Sequence, residues 1–239
     1  MKIGEYELDN IYNEDCYEAI KKIPDKSIDL VIIDPPYEYT TGGCGKNQTG
    51  EYKALFDRKN KNRSDLEKFT QKGLNKGQAR VWADKEKSRE EIYHISSGFD
   101  FRILDELDRI MKKVNIYIWC SKHQVYSLLG HYLSKQCNIE IITWHKTNPL
   151  PTMNNTYAND TEYCIFARDK GVELYGSYET KRKYYISSLN AEDKKLYDHP
   201  TIKPLNIIKN FIINSSQAGG GCVRLFFRKW NNCSCMQRT

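Results

Sequence analysis

Residues 28–37 read Ile-Asp-Leu-Val-Ile-Ile-Asp-Pro-Pro-Tyr. Five apolar residues, Ile28, Leu30, Val31, Ile32 and Ile33, surround a single aspartate, the pattern of a buried strand. Pro35 and Pro36 end it, because neither has an N–H to give to a sheet ladder. A carboxylate, Asp34, is left at the carboxyl end of the strand, with an aromatic ring, Tyr37, three residues on. Ligands of open α/β sheets bind outside the carboxyl ends of the strands, which makes Asp34 and Tyr37 the first candidate site residues.

Upstream, residues 8–15 (Leu-Asp-Asn-Ile-Tyr-Asn-Glu-Asp) have the look of a short strand ending in acidic residues. Tyr17, Ile20 and Ile23 share one face of a short helix that Pro24 closes. Strand, Asp15, helix and the 28–33 strand then form a βαβ opening to a parallel sheet. Asp15 falls at the same sheet edge as Asp34, and it is also a natural helix N-cap. Downstream, Phe101, Leu104, Leu107 and Met111 predict a helix, and Val114–Cys120 a strand. Ser121 is then expected to cap a helix to about Tyr132. Ile139–Trp144 and Glu162–Ala167 are expected to form an antiparallel pair at the sheet edge, and Leu205–Ile213 an amphipathic helix. No internal repeat appears.

Two polar stretches interrupt this pattern. Between Lys46 and Glu90 there are 13 Lys or Arg against 7 Asp or Glu, a surplus that equals the chain's net charge of +6. The whole stretch, 38–98, reads as a basic insertion leaving the 28–33 strand, suited to a phosphate backbone or simply to solvent. Residues 169–198 form a second, rich in Tyr and Lys. The 239 residues suit one α/β domain. The eight cysteines include no CxxC pair, and no His stands at zinc spacing, so no metal is expected. Free thiols in a reduced cytoplasm are the expected state. Lys2, Glu5 and Glu7 interrupt any apolar start, so neither a signal peptide nor a membrane span is expected.

The order of these pieces resembles the amino-group DNA methyltransferases, which methylate adenine N6 or cytosine N4, in their β-type arrangement with the catalytic half first. The resemblance covers residues 8–216. It rests on Asn13-Glu-Asp15-Cys, on Asp34-Pro-Pro-Tyr37, on Trp144-His-Lys-Thr-Asn148-Pro, on Glu162-Tyr-Cys-Ile-Phe and on His199-Pro-Thr-Ile-Lys-Pro204, which is similar to the family's HPTxKP segment. It implies a Rossmann-like α/β sheet using S-adenosylmethionine, with 1–216 as the catalytic domain and 169–198 as the target-recognition segment. It implies that Asp34, Pro35, Pro36 and Tyr37 are catalytic. Asp15, Asp34, His199, Pro200, Thr201 and Lys203 would hold the cofactor. The implied partners are double-stranded DNA with a flipped-out base and a companion restriction endonuclease.

The residue types suit that chemistry. An adenine amino nitrogen is a poor nucleophile because its lone pair is delocalised into the ring. Asp34 and the carbonyl of Pro35 can accept its two N–H protons and draw it towards a tetrahedral form. Methyl transfer is then an in-line displacement with no covalent enzyme intermediate. The base must leave the duplex to arrive there, and Tyr37 is the ring expected to stack on it. By the resemblance, aspartate rather than serine in the first place implies adenine, with cytosine N4 as the alternative and a DNA-binding remnant without catalysis as the non-enzymatic one.

The pattern breaks at 217–239. The family continues into a strand and a glycine-rich turn similar to D-x-F-x-G-S-G-T, whereas this chain has Gly219-Gly-Gly221 and no later glycine. Codons consistent with Gly221 onward, read one base later, encode Gly-Val-Phe-Asp-Cys-Phe-Ser-Gly-Ser-Gly-Thr-Thr. One of these glycines is forced: Trp230 before Asn231 must yield GGA. A single inserted base in the G-rich codons of 219–221 would suffice to produce the tail, with a genuinely divergent tail as the alternative. The expected consequences are a sheet incomplete at its C-terminus, loss of the strands that cover Ile28–Ile33, and weak or absent cofactor binding.

Overall fold

The computed structural model describes residues 2–37, 98–149, 157–188, 202–217, 220–226 and 233–238, the last two segments, beyond Cys222, as backbone only. The 38–97 stretch, 189–201 with His199, Pro200 and Thr201, and the remaining tail residues lie outside them.

A hairpin of β1 (Lys2–Ile3) and β2 (Tyr6–Glu7) precedes β3 (Asn10–Asn13), α1 (Cys16–Lys21) and β4 (Leu30–Asp34). There follow α2 (Ile103–Ile110), β5 (Asn115–Cys120), α3 (Val125–Ser134), β6 (Asn138–Lys146), β7 (Thr161–Arg168), β8 (Tyr184–Ser187), α4 (Leu205–Ser215), β9 (Gly221–Phe226) and β10 (Cys233–Arg238). Among the described residues, eight strands form one mixed sheet in the order β3-β10-β9-β4-β5-β7-β6-β8. The Asp34 strand is central, parallel to β5 on one side and β9 on the other. No helix among the described residues is long and apolar enough to cross a membrane.

Both faces of the sheet are covered, which is why β4 and β5 are apolar throughout. The two-residue period divides them. Val31, Ile33, Ile116 and Ile118 pack with Ile20, Leu104, Leu107 and Leu128 of α1, α2 and α3. Leu30, Ile32, Tyr117 and Trp119 pack with Ile207, Ile208 and Phe211 of α4. Tyr117 is stacked between Phe166 and Phe211, at 4.2 and 4.0 Å between ring centroids. Its hydroxyl meets Ser215 Oγ at 2.7 Å. The amide of Asn115 donates to the carbonyls of Asp29 and Ser215, so the end of α4 is tied to the start of the central strands.

Several expectations change. The helix after β5 starts at Val125, and the capping position is Gln124 rather than Ser121. The β6–β7 pair is antiparallel as expected, but it is not the outermost pair, since β8 from the Tyr/Lys-rich stretch adds to β6 in parallel. Its alternation of exposed and half-buried residues is what an edge strand shows, and four residues are too few to stand out in sequence. Most significantly, Ile28–Ile33 is not left uncovered: Gly221–Phe226, following the glycine run, supplies its neighbour β9. The departure from a doubly wound sheet comes after that strand. Only residues 227–232 separate β9 from β10, and β10 returns antiparallel. A parallel crossover needs about a dozen residues or more, so neither a turn-and-helix crossover nor a following parallel strand is accommodated.

The segment before β8 is clamped to α4. Asn214 Nδ2 donates to the Thr180 carbonyl at 2.8 Å, and Thr180 Oγ1 donates to Asn214 Oδ1 at 2.7 Å. A Cβ on Gly176 would clash with Asn214 Oδ1 and Thr180 Oγ1. Gly176→Ala is therefore expected to destabilise the chain by about 1–3 kcal/mol through overpacking, read as a lowered urea midpoint at unchanged m-value.

Candidate active site

Alternation along the strands decides which side chains meet at the carboxyl edge. Asp34 continues the Leu30–Ile32 face of β4 and so points to the α4 side, where Trp119 of β5, Trp144 of β6 and Cys164 of β7 also lie. Glu162 is two residues before Cys164 and Lys146 two after Trp144, so both fall on that same face. Lys203 enters from above, just ahead of Pro204, the capping residue of α4.

These residues form one buried network. Lys203 Nζ lies 2.8 Å from Asp34 Oδ2 and 3.2 Å from Glu162 Oε2, with its side chain 5% exposed. Lys146 Nζ lies 2.6 Å from Glu162 Oε1. The Tyr37 hydroxyl donates to Glu162 Oε2 at 3.1 Å. The Lys203 ammonium also sits 4.9 Å from the Tyr37 ring centroid and 5.4 Å from that of Trp119, within cation–π range. Two carboxylates and two ammonium groups alternate, so the buried charge cancels.

Burial pushes the Asp34 carboxyl up from its ordinary value, while Lys203 at 2.8 Å pulls it down. Burial also disfavours the charge of Glu162, but Lys203 and Lys146 outweigh it and hold that carboxyl at about 2. Burial works against the Lys203 ammonium, yet Asp34 and Glu162 raise it above the usual lysine range. Glu162, with a depressed pKa, contributes stability that is present above its ordinary 4.5 and lost as pH falls towards about 2. That contribution is on the order of 3 kcal/mol; Asp34, shifted upward, works in the opposite sense. Acid unfolding of Glu162→Gln is accordingly expected to be less steep than that of the parent chain between pH 4.5 and 2, as followed by circular dichroism.

The two prolines after Asp34 are fixed in place. Gln124 Nε2 donates to the Pro36 carbonyl at 3.0 Å, and its Oε1 accepts from the Ser121 N–H at 2.9 Å. Gln124 thus orients the peptide next to the Pro35 carbonyl, a role no spacing in the sequence signals. Asp15 lies at the same edge, as expected: the pairings Asn13–Cys233, Cys233–Phe226 and Phe226–Asp34 run in one row across the sheet. Its Oδ1 accepts from the N–H groups of Tyr17 and Glu18, so Asp15 caps α1. Lys203 and Asp34, 169 positions apart, are brought together; His199, Pro200 and Thr201 lie outside the described residues. Glu162 and Lys146 stand within quoted motifs, but only the folded sheet reveals their charge partners.

Comparison with known proteins agrees with this geometry. A family model described as DNA methylase, of the N6/N4 methyltransferase type, matches residues 28–227. The Type II methyltransferase M2.MboI of Moraxella bovis is 27% identical over 87% of this chain and 71% of its own length. M2.LlaDCHI of Lactococcus lactis subsp. cremoris is 29% identical over 89% of this chain and 75% of its own. Among solved structures, the M1.HpyAVI–SAM complex superposes with a TM-score of 0.52 at 15% identity, covering 89% of this chain and 80% of that one. The cytosine-N4-specific PvuII DNA methyltransferase gives 0.54 at 12% identity, covering 89% and 72%. The fold is that of these methyltransferases, and the chain belongs to the N6/N4 DNA methylase family.

Proposed function

We propose that this chain derives from a site-specific Type II DNA methyltransferase acting on the N6 amino group of adenine, and that its methyl-donor half has been altered by a frameshift at 219–221. The observation that carries the first part is Asp34 itself, a half-buried carboxylate at the carboxyl edge of the central strand, followed by a proline pair that Gln124 holds in place. There it accepts one amino N–H of an extrahelical base, and the Pro35 carbonyl accepts the other. The nitrogen lone pair is thereby withdrawn from the ring and directed out of plane. Tyr37 supplies the ring on which the base stacks. Residues 1–216 make the catalytic domain, with 38–98 and 169–198 gripping DNA.

S-adenosylmethionine is the methyl donor of this family. The described residues fit it poorly: Asp15 Oδ1 is engaged in capping α1, and the β9–β10 hairpin leaves no place for a glycine turn followed by a helix. What supports the frameshift is register. Phe226 pairs with Asp34 at the end of β9. In the shifted frame the strand runs equally far, and Ser-Gly-Ser-Gly begins at the next residue, where the backbone has to approach a ligand.

The test begins with the gene. Sequencing across the codons of Gly219–Gly221 should reveal one extra base; the frame-restored chain, given S-adenosylmethionine and a randomised duplex pool, should yield N6-methyladenine on digestion. N4-methylcytosine would move the assignment to cytosine. A second reading, a DNA-binding remnant without catalysis, is favoured for the chain as it stands by the β9–β10 hairpin. It predicts salt-dependent DNA retention with no methyl transfer.

A further inference from the structure

We propose that in the free chain the Lys203 ammonium stands where the target base is to go, and that Glu162 is the positioning residue that takes it over when the base arrives. This rests on the reading of Asp34 and Tyr37 as the base site. A base entering that site needs an acceptor for its amino group and a ring face to stack on. One cation holds both: Lys203 Nζ is 2.8 Å from Asp34 Oδ2 and 4.9 Å from the Tyr37 centroid.

The ammonium cannot make room by shedding its proton, because two carboxylates beside it favour the charged form. It must move, and a buried cation left without a partner is strongly unfavourable. Glu162 is placed to receive it. Its Oε2 is already 3.2 Å from Lys203 Nζ, while Lys146 occupies Oε1 and the Tyr37 hydroxyl steadies Oε2. Handing Lys203 from Asp34 to Glu162 would free the carboxylate and the ring face in one movement, with the ammonium keeping a carboxylate partner and the amino group of the base replacing it as donor to Asp34. The site also contains an orphan donor: Trp119 Nε1 is fully buried and has no acceptor among the described residues. A base, carrying ring-nitrogen acceptors, has the group that donor lacks.

The test uses the full chain and a duplex that it selects from a randomised pool, with 2-aminopurine replacing each adenine in turn, so that fluorescence rises when the base leaves the stack. Glu162→Gln should bind the duplex with the same salt dependence as the parent, because no phosphate contact is touched. Its extrusion equilibrium should fall at least about tenfold, the worth of one charge-assisted hydrogen bond. A measurement on the unsubstituted chain guards against misfolding of the variant. The ¹⁵N-resolved ammonium protons of Lys203, shifted upfield by the Tyr37 ring, should lose that shift when the duplex is added. Equal extrusion by Glu162→Gln, or an unmoved Lys203 signal in a complex that does extrude, overturns the hand-over and leaves the base site standing. No fluorescence rise at any position in the parent chain removes the base site, and the hand-over with it.

Discussion

Lys203→Met is expected to lower the stability of the chain by about 3–5 kcal/mol, the usual consequence of removing one partner from a buried ion pair. The substitution keeps the length and apolar stem of the side chain. What it takes away is the charge that balances Asp34 and half of that balancing Glu162. Glu162 retains Lys146, so most of the loss falls on Asp34, whose carboxyl burial already pushes towards its neutral form. Urea unfolding should show a lower midpoint at an unchanged m-value. Replacing Lys203 and Asp34 together with apolar residues should cost far less than Lys203→Met alone, because Glu162 then keeps Lys146 and no charge is left uncompensated. A Lys203→Met chain as stable as its parent would mean that the network is open to water.

The second large effect concerns the methyl donor. Titrated calorimetrically with S-adenosylmethionine, the chain as it stands is expected to give no micromolar binding. The frame-restored chain should bind roughly 100-fold or more tightly, a difference of about 3 kcal/mol that two charge-assisted contacts can supply. The physical reason is topological. A glycine turn lets backbone N–H groups approach a ligand at a strand end, and the strand beyond it carries the next contacts. Here β10 lies antiparallel beside β9, pairs with β3 and fills the neighbouring position. Micromolar binding by the chain as it stands would contradict this and remove the ground for a frameshift with functional consequence.

Much of the architecture was legible because it depends on short-range patterns. A run of apolar residues buried on both faces can only be a central strand, and Asp34-Pro-Pro-Tyr37 ends it in a way that Pro chemistry dictates. Helix periods marked α2 and α4 to within a few residues. Elements whose reason lies elsewhere in the chain were not legible in this way. β8 is a strand because β6 has an open edge beside it. Gly221–Phe226 becomes the neighbour of β4 because that position in the sheet is open to it, although its residues follow a glycine run that resembles no strand signal. Ser121 was the better cap by composition, yet the helix begins later, since Gln124 is drawn back to the Ser121 N–H and the Pro36 carbonyl.

The same division holds at the site. Sequence alone determined that a carboxylate and a ring stand at the end of the central strand, that a basic HPTxKP-like segment follows far downstream, and that the glycine turn is missing. These are local facts of residue type and order. Only the tertiary structure decided that Lys203 spans 169 positions to reach Asp34, that Glu162 shares the same ammonium, and that Lys146 and Tyr37 complete the network. No local pattern encodes those pairings. They arise because alternation places the side chains on one face of the sheet, and because α4 closes that face and excludes water, so that each buried charge must find its opposite.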